Sequence, residues 1–369
     1  MDKKMGQQEE RITIEQILEQ KQQVKGYDAS VYTAICKHWD RVAKPLDGMG
    51  TFEPMLAQIG AIQRKENPQV SNGKLCVFCS DNGIVEEGIS QSPQEVTAIC
   101  AKNIAAGSTA VGRMAHLTGC AIQVLDLGIN TNEVLPGVID KKVAMGTKNF
   151  FREDAMTLQQ MKQAMQCGMD AVYACKQEQL DFVCIGEMGI GNTTTSSAIA
   201  CAMLHLDPLQ AVGRGAGLSD AGLLKKEQVI RQTIEKKDLG HASAEEVMCA
   251  VGGFDIAGMA GACMAAALYE IPLILDGMIS MVAALVAETL LPGTKAYLIA
   301  SHSSKEPATC ALVQALSLQP VIDAQMALGE GTGAMMLLPM LPMAKAVYEE
   351  TNSFATAGVE TYQRYEETR

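Results

Sequence analysis

The sequence predicts an α/β protein, a Rossmann-like parallel sheet flanked by helices, with a smaller helical domain built from the N- and C-terminal segments. Three observations predict it. Short apolar, β-branched runs occur at KLCVFCSD, AIQVLDLGI, LDFVCIGEMG, IPLILDGMI and AYLIASH. Longer Ala-, Gln- and Met-rich stretches of helical period, such as VTAICAKNIAAGSTAVGRMAH, lie between them. Helical patterning without such runs precedes Leu75 and resumes near Pro339. Strands alternating with helices imply right-handed crossovers and a parallel sheet. Near-continuous apolarity is what a strand buried on both faces requires.

The elements follow in order. Thr13 with Gln16 forms a capping-box pattern opening ITIEQILEQKQQV. A second helical pattern, DASVYTAICKHWDRVAK, ends at Pro45 and the turn PLDGMGTFE, and the polar link RKENPQVSNGK leads to Leu75. The expected division is a large α/β domain over 70–340 and a small helical domain from 1–69 plus 341–369. In an open parallel sheet, ligands sit beyond the carboxyl ends of the strands. Those ends read Asp81-Asn82-Gly83, Asp126-Leu127-Gly128, Gly186-Glu187-Met188-Gly189, Asp276-Gly277 and Ser301-His302. Four of the five carry a carboxylate and four carry glycine, which a purely structural sheet does not need.

Composition excludes several function classes. The 369 residues are 48% hydrophobic and 20% charged with a net charge of -12, and no basic tract interleaves with aromatics, so nucleic acid is not an expected partner. Glu270, Asp276 and Glu288 interrupt the most hydrophobic stretch, Ile256 to Leu291, before it reaches the ~18 apolar residues of a membrane span. The N-terminus MDKKMGQQEERITIEQ has no apolar signal region, and a cytoplasmic location is expected. The 12 cysteines are scattered, and the lone C-x-x-C at Cys76 and Cys79 lacks the second pair that a zinc site needs. These two read as reduced, buried thiols. No metal and no cofactor are expected.

Three segments carry chemistry. In CIGEMGIGNTTTSSAIACAMLHL, an apolar strand runs into a glycine loop and a helix start. Gly186 to Thr193 fits the G-x-x-x-x-G-x-T frame, with Asn192 where a triphosphate-binding loop places lysine. A helix N-terminus without that lysine suits a single phosphate. Gly189, Gly191, Asn192 and Thr193 are therefore candidate phosphate contacts, although the segment also reads as a capped turn without ligand. A second loop, AVGRGAGLSDAGLLKK, brings Gly213, Gly215 and Gly217 before another helix. Two such loops are best explained by backbone closing around a ribose phosphate. Arg214, Lys225 and Lys226 add charge there, or are solvated surface groups. In QMALGEGTGAMMLL, Glu330 lies between glycines on apolar ground, where desolvation raises a carboxyl pKa and suits it to general base work. A capping or surface glutamate is the plainer alternative. The flanking Gly329, Gly331 and Gly333 favour close approach of a flat ligand. Asp255 in VGGFDIAGMAGA reads as a helix N-cap, and His302 carries no assignment.

At these segments the chain resembles the nicotinate-nucleotide–dimethylbenzimidazole phosphoribosyltransferase family. KPLDGMGTFEPMLAQIGAI, SDNGIVEEGISQSPQEVTAI, GTKNFFREDAM, GEMGIGNTTTSSA, VGRGAGLSDAGL, VGGFDIAGMAGA, LDGMISMVAALVA, YLIASHSSKE and LGEGTGAMM appear in family order across roughly 40–345. The resemblance implies a homodimer, nicotinate mononucleotide and an aromatic base as substrates, and an α-ribotide as product. It implies Glu330 as catalytic base and Glu187 as a second catalytic carboxylate. Gly189 to Thr193, Gly213 to Gly217 and Lys226 fall at the nucleotide and phosphate site. Ser92, Cys100, Asp81 and Leu328 fall on the side of the acceptor base.

The implied chemistry fits the residue types. Nicotinate leaves from a pyridinium glycoside and needs no general acid. A carboxylate such as Glu187 would stabilise an oxocarbenium-like ribose. Attack from the opposite face inverts β to α, and Glu330 would take the acceptor ring's proton. Two positions depart from the family pattern. Asn82 stands where D-H-G is common, and Cys100 where some members place a glutamine that reaches the base. The preferred base therefore stays open between dimethylbenzimidazole, another benzimidazole, a purine such as adenine and a phenolic. A non-catalytic nucleotide-binding protein and a degenerate P-loop NTPase are the competing readings.

Overall fold

The computed structural model describes residues 11–20, 24–215 and 217–365. The stretch MDKKMGQQEE, the outermost parts of the expected terminal domain, and Ala216 in the second glycine loop lie outside the described residues. The chain builds one six-stranded, all-parallel sheet from β1 (Gly73–Ser80), β2 (Ala121–Gly128), β3 (Val138–Asp140), β4 (Phe182–Met188), β5 (Leu273–Leu275) and β6 (Leu298–Ala300). Their order is β3-β2-β1-β4-β5-β6. The direction of strand addition reverses between β1 and β4, so the crevice at their carboxyl ends is where such a sheet takes a ligand.

Side-chain alternation sends the strands into two apolar layers. Cys76, Phe78, Leu125, Leu127, Val183 and Ile185 pack with the helices Leu158–Gln177, Phe254–Leu268 and Met278–Leu290. Leu75, Val77, Cys79, Val124, Cys184 and Ile274 face the other layer. That layer includes residues of the helices Ala29–Trp39, Phe52–Gln63, Ala110–Thr118 and Met340–Glu350. Cys76 and Cys79 are free and buried in opposite layers, so the C-x-x-C spacing does not bring two thiols together.

The capping box opening Ile14–Gln20 is present, with the Thr13 N–H donating to Gln16 Oε1 at 2.7 Å. The C-terminal helix packs on the N-terminal ones. Tyr348 stands edge-on to Trp39, and its hydroxyl donates to the Glu66 carbonyl at 2.8 Å. No helix among the described residues is long and apolar enough to cross a membrane.

The structure differs from the sequence reading at four places. The stretch VTAICAKNIAAGSTAVGRMAH is two helices, Val96–Ala105 and Ala110–Thr118, because Gly107 turns left-handed and Thr109 caps the second. The edge strand β3 has no fully buried residue, so its sequence carried no apolar run. The AYLIASH run breaks at Ser301, where β6 ends and β7 (His302–Ser304) begins; β7 pairs with β8 (Ile322–Met326) in a separate two-stranded sheet. Finally, Asp255 is not an N-cap. Gly253 holds that position, and Asp255 lies inside the first turn of Phe254–Leu268.

Candidate active site

β4 ends in Glu187-Met188, the loop Gly189–Gly191 turns, and the helix Asn192–Leu204 starts. Gly191 takes φ +95° at the N-cap, a left-handed conformation that glycine adopts without strain. The strand–loop–helix read from the glycine frame is therefore present. Asn192, in the lysine position of that frame, is buried and turned inward. Its Nδ2 donates to Glu187 Oε2, and to Asp255 Oδ2 at 3.0 Å. One neutral amide thus bridges two buried carboxylates.

Burial is the main reason those carboxyls resist ionisation. Glu187 is pushed up to about 8 by desolvation first, then by the Asp255 charge, against the Asn192 hydrogen bond. Asp255 is raised to about 6, again by burial, with Asn192 and the backbone N–H groups of Ile256 and Asp255 opposing. Asp81, at the end of β1, is also raised to about 6 by burial; its Oδ2 accepts the Asn130 N–H at 2.7 Å.

The second glycine loop lies against the first. Thr193 and Gly215 approach so closely that a Cβ on Gly215 would sit 2.8 Å from Thr193 Oγ1. Behind them Lys226 is buried, which removes the alternative of a solvated lysine; Arg214 and Lys225 are exposed. The Lys226 Nζ donates to Thr193 Oγ1 at 3.0 Å and to the Gly213 carbonyl at 3.1 Å. Desolvation lowers its pKa to about 8. Because Thr193 Oγ1 accepts from this ammonium, its own O–H is free to donate elsewhere.

The third segment crosses over the end of β4. Gly329, Glu330 and Gly331 take φ values of +82°, +62° and +90° in succession. For Glu330 this is left-handed backbone that costs a non-glycine residue ~1 kcal/mol or more. Asp276, at the end of β5, holds the turn in place: its carboxylate accepts the Gly331 N–H at 3.0 Å and the Gly333 N–H at 2.7 Å. Desolvation raises the Asp276 carboxyl, and burial lowers the neighbouring His302 imidazole. The glycines of LGEGTG thus serve the chain's own geometry. Two supply positive φ, and a Cβ on Gly333 would meet His302 Nδ1 at 1.9 Å.

These segments enclose one cavity, lined by Glu187, Gly189, Thr193, Gly215, Leu328 and Glu330 among others. Gly191 and Asn192 also line it. Burial raises the Glu330 carboxyl, against the Thr109 hydroxyl and Val111 N–H, and its Oε2 is buried without a hydrogen-bond partner among the described residues. Leu328 stands at the mouth, 56% exposed. Gly213, Gly217, Lys226, Ser92, Cys100 and Asp81 do not line the cavity. Gly213 and Lys226 stand behind the Thr193–Gly215 wall, and Gly217 lies beside Gln91, which does line it. Ser92 is one residue beyond Gln91, its N–H donating to Ser90 Oγ at 3.2 Å. Cys100 is half-buried within the field of Glu330, which together with burial raises its thiol. Asp276 and Glu306 also line the cavity, and the sequence reading gave neither a role. Asp276 at a strand end was the signal available for the first.

Comparison with known proteins bears on this cavity. A family model described as phosphoribosyltransferase matches residues 24–359. The nicotinate-nucleotide–dimethylbenzimidazole phosphoribosyltransferase of Clostridium acetobutylicum is 37% identical over 340 residues, covering 92% of this chain and 97% of that protein. Its counterpart from Chloroflexus aurantiacus is 34% identical over 338 residues, covering 91% and 96%. The crystal structure of CobT from Thermus thermophilus matches with a TM-score of 0.85 at 33% identity, covering 90% of this chain and 100% of that one.

Proposed function

The chain belongs to the nicotinate-nucleotide–dimethylbenzimidazole phosphoribosyltransferase family, and from that premise we propose that it moves the phosphoribosyl group of nicotinate mononucleotide onto dimethylbenzimidazole, with inversion. Nicotinate and α-ribazole phosphate are the products. The observation that carries this reading is the convergence of Glu187, Glu330 and two glycine loops on one cavity.

In the proposed reaction the phosphate lies at the start of Asn192–Leu204, where backbone N–H groups and the helix dipole favour an anion. Gly189, Gly191, Asn192, Thr193 and Gly215 form this wall, with Gly213 and Gly217 in the loop behind. Lys226 acts from the second layer by fixing the Thr193 hydroxyl as a donor. The bond from ribose C1 to the pyridinium nitrogen breaks, and its electron pair neutralises the departing ring. Burial keeps Glu187 mostly protonated at neutral pH until the nucleotide binds. The cationic ring lowers its pKa again, since a nearby opposite charge favours the ionised form. The resulting carboxylate stabilises the positive charge that develops on the ribose. An acceptor nitrogen forms the new bond from the opposite face, and Glu330 Oε2 takes the proton from the ring's other nitrogen. Such proton removal contributes ~10²–10⁴-fold.

Leu328 at the mouth offers an apolar surface to the acceptor ring, with Cys100 and Ser92 on the same side and Asp81 behind. The family reading also makes the protein a cytoplasmic homodimer divided into domains at 70–340 and 1–69 plus 341–369. The test is incubation of the purified protein with nicotinate mononucleotide and a panel of bases, with products weighed by mass spectrometry. The α-ribotide and free nicotinate are expected in equal amounts. Tight nucleotide binding without nicotinate release, whatever base is offered, overturns the proposal.

A further inference from the structure

Glu306 lines the same cavity, and no step proposed above uses it. It is 8% exposed, and its Oε2 is buried with no hydrogen-bond partner among the described residues. Its backbone N–H donates to Ser304 Oγ at 3.3 Å. The carboxylate is pressed onto Gly213, where a Cβ would lie 1.9 Å from Oε2 and 2.9 Å from Oε1. Gly213 is thus shared: its carbonyl accepts from Lys226, and its missing side chain makes room for Glu306. Lys226 feels the Glu306 charge but bonds elsewhere. A buried carboxylate oxygen without a partner is costly, and a site keeps one where a ligand supplies the donor.

The donors available to it are few. At neutral pH the nucleotide's phosphate and ring carboxylate only accept hydrogen bonds. The acceptor base brings one ring N–H, matched above to Glu330. The secondary hydroxyls of the ribose remain. Gly215 belongs to the phosphate wall and Gly213, which Glu306 touches, stands directly behind it, so the sugar joined to that phosphate lies next to Glu306. We propose that Glu306 accepts a hydrogen bond from a secondary hydroxyl of the ribose and makes the enzyme selective for ribonucleotides over deoxyribonucleotides. The inference rests on the nucleotide reading of the cavity. Glu306 is a specificity-determining residue here, and no bond made or broken in the transfer involves it.

The experiment compares nicotinate mononucleotide with its 2′-deoxy and 3′-deoxy analogues on the wild type, Glu306→Gln and Glu306→Asp, with dimethylbenzimidazole as acceptor. In the wild type, at least one deoxy analogue is expected to lose about 10- to 100-fold in kcat/KM, the worth of one hydrogen bond to a charged group. In Glu306→Gln that preference shrinks roughly tenfold, because a neutral acceptor replaces the charged one. Glu306→Asp keeps the charge beside Lys226 but withdraws the carboxylate by one methylene. It should lose the preference while folding normally, which keeps the test alive should Glu306→Gln fold poorly. Equal use of all three nucleotides by the wild type overturns the inference, and so does a loss in both variants that is the same for ribose and deoxyribose. Release of no nicotinate from nicotinate mononucleotide by the wild type is a different result, and it strikes the proposed activity instead.

Discussion

Replacing Glu187 by Gln should make the protein more stable and less active, and the stability gain should depend on pH. The folded chain holds the Glu187 carboxyl at about 8 instead of the ordinary 4.5, chiefly because the side chain is desolvated. Below pH 4.5 the group is protonated in both folded and unfolded chains and makes no difference. Above it, the unfolded chain sheds the proton while the folded chain keeps it, so unfolding becomes easier as pH rises. The loss saturates once the folded carboxyl ionises near pH 8. At pH 7 the penalty is about 3 kcal/mol. A chain of this length has an unfolding entropy near 0.8 kcal/mol per degree, so lifting the penalty raises Tm by about 4 °C. Gln fits the site, since its carbonyl can still accept from Asn192. Thermal unfolding of both proteins from pH 4.5 to 8.5 measures the effect. The stability gap should be near zero at the acid end and widen to its full size by pH 8, while turnover of the variant falls at every pH. A gap that stays constant across this range refutes the reasoning, because a purely steric difference does not titrate.

Three further outcomes are expected. Glu330→Gln should lower kcat/KM by ~10²–10⁴-fold without lowering Tm, and the residual rate should lose the wild type's acid limb, as steady-state pH profiles would show. Gly329→Ala sets a Cβ 2.5 Å from Glu187 Oε1 at a φ of +82°; it should cost ~1 kcal/mol or more in denaturant unfolding and reduce turnover together. Lys226→Met should raise KM for the nucleotide by ~10-fold or more with a smaller change in kcat. The wild type should lose kcat/KM above about pH 8 as this lysine deprotonates, and the variant should lack that fall.

What could be read in the sequence follows from how local its cause is. β1, β2 and β4 are long, apolar and buried at the sheet centre, so their composition declared them. β3 and β8 have exposed residues at most positions and exist because a neighbour pairs with them, which no local run records. The glycine frame gave the helix start at Asn192, because strand, turn and helix are contiguous. It did not give the direction of the Asn192 amide, since Asp255 is brought beside it by the fold from 63 residues away. Lys226 is instructive because two readings of it stood open. The run LLKKEQ reads as solvated, yet Lys226, Val229, Ile230 and Thr233 are the buried residues of Asp220–Lys236. Their spacing of three, four and seven is that of one helix face, so the period placed this lysine on the inner side even though its charge argued otherwise.

The acid groups of the cavity also explain why the turn around Glu330 is built from glycines and clamped by Asp276. A general base has to be desolvated enough to be basic, yet fixed enough to meet one ring nitrogen. Burial alone supplies the first and works against the second, since a carboxylate without partners is free to rotate toward water. Here the backbone is the constraint. Left-handed φ at Glu330 directs the side chain away from the path an extended strand would give it, and two N–H bonds to Asp276 hold the next turn of chain. The strain is therefore offset by hydrogen bonds made outside the reacting atoms, which leaves Glu330 Oε2 unpaired for the proton it is proposed to take. The same logic accounts for Gly186 on β4, whose missing side chain lets Gly331 N come where a Cβ would stand 2.6 Å away. A larger residue there would lift the whole turn off the sheet, and the base with it.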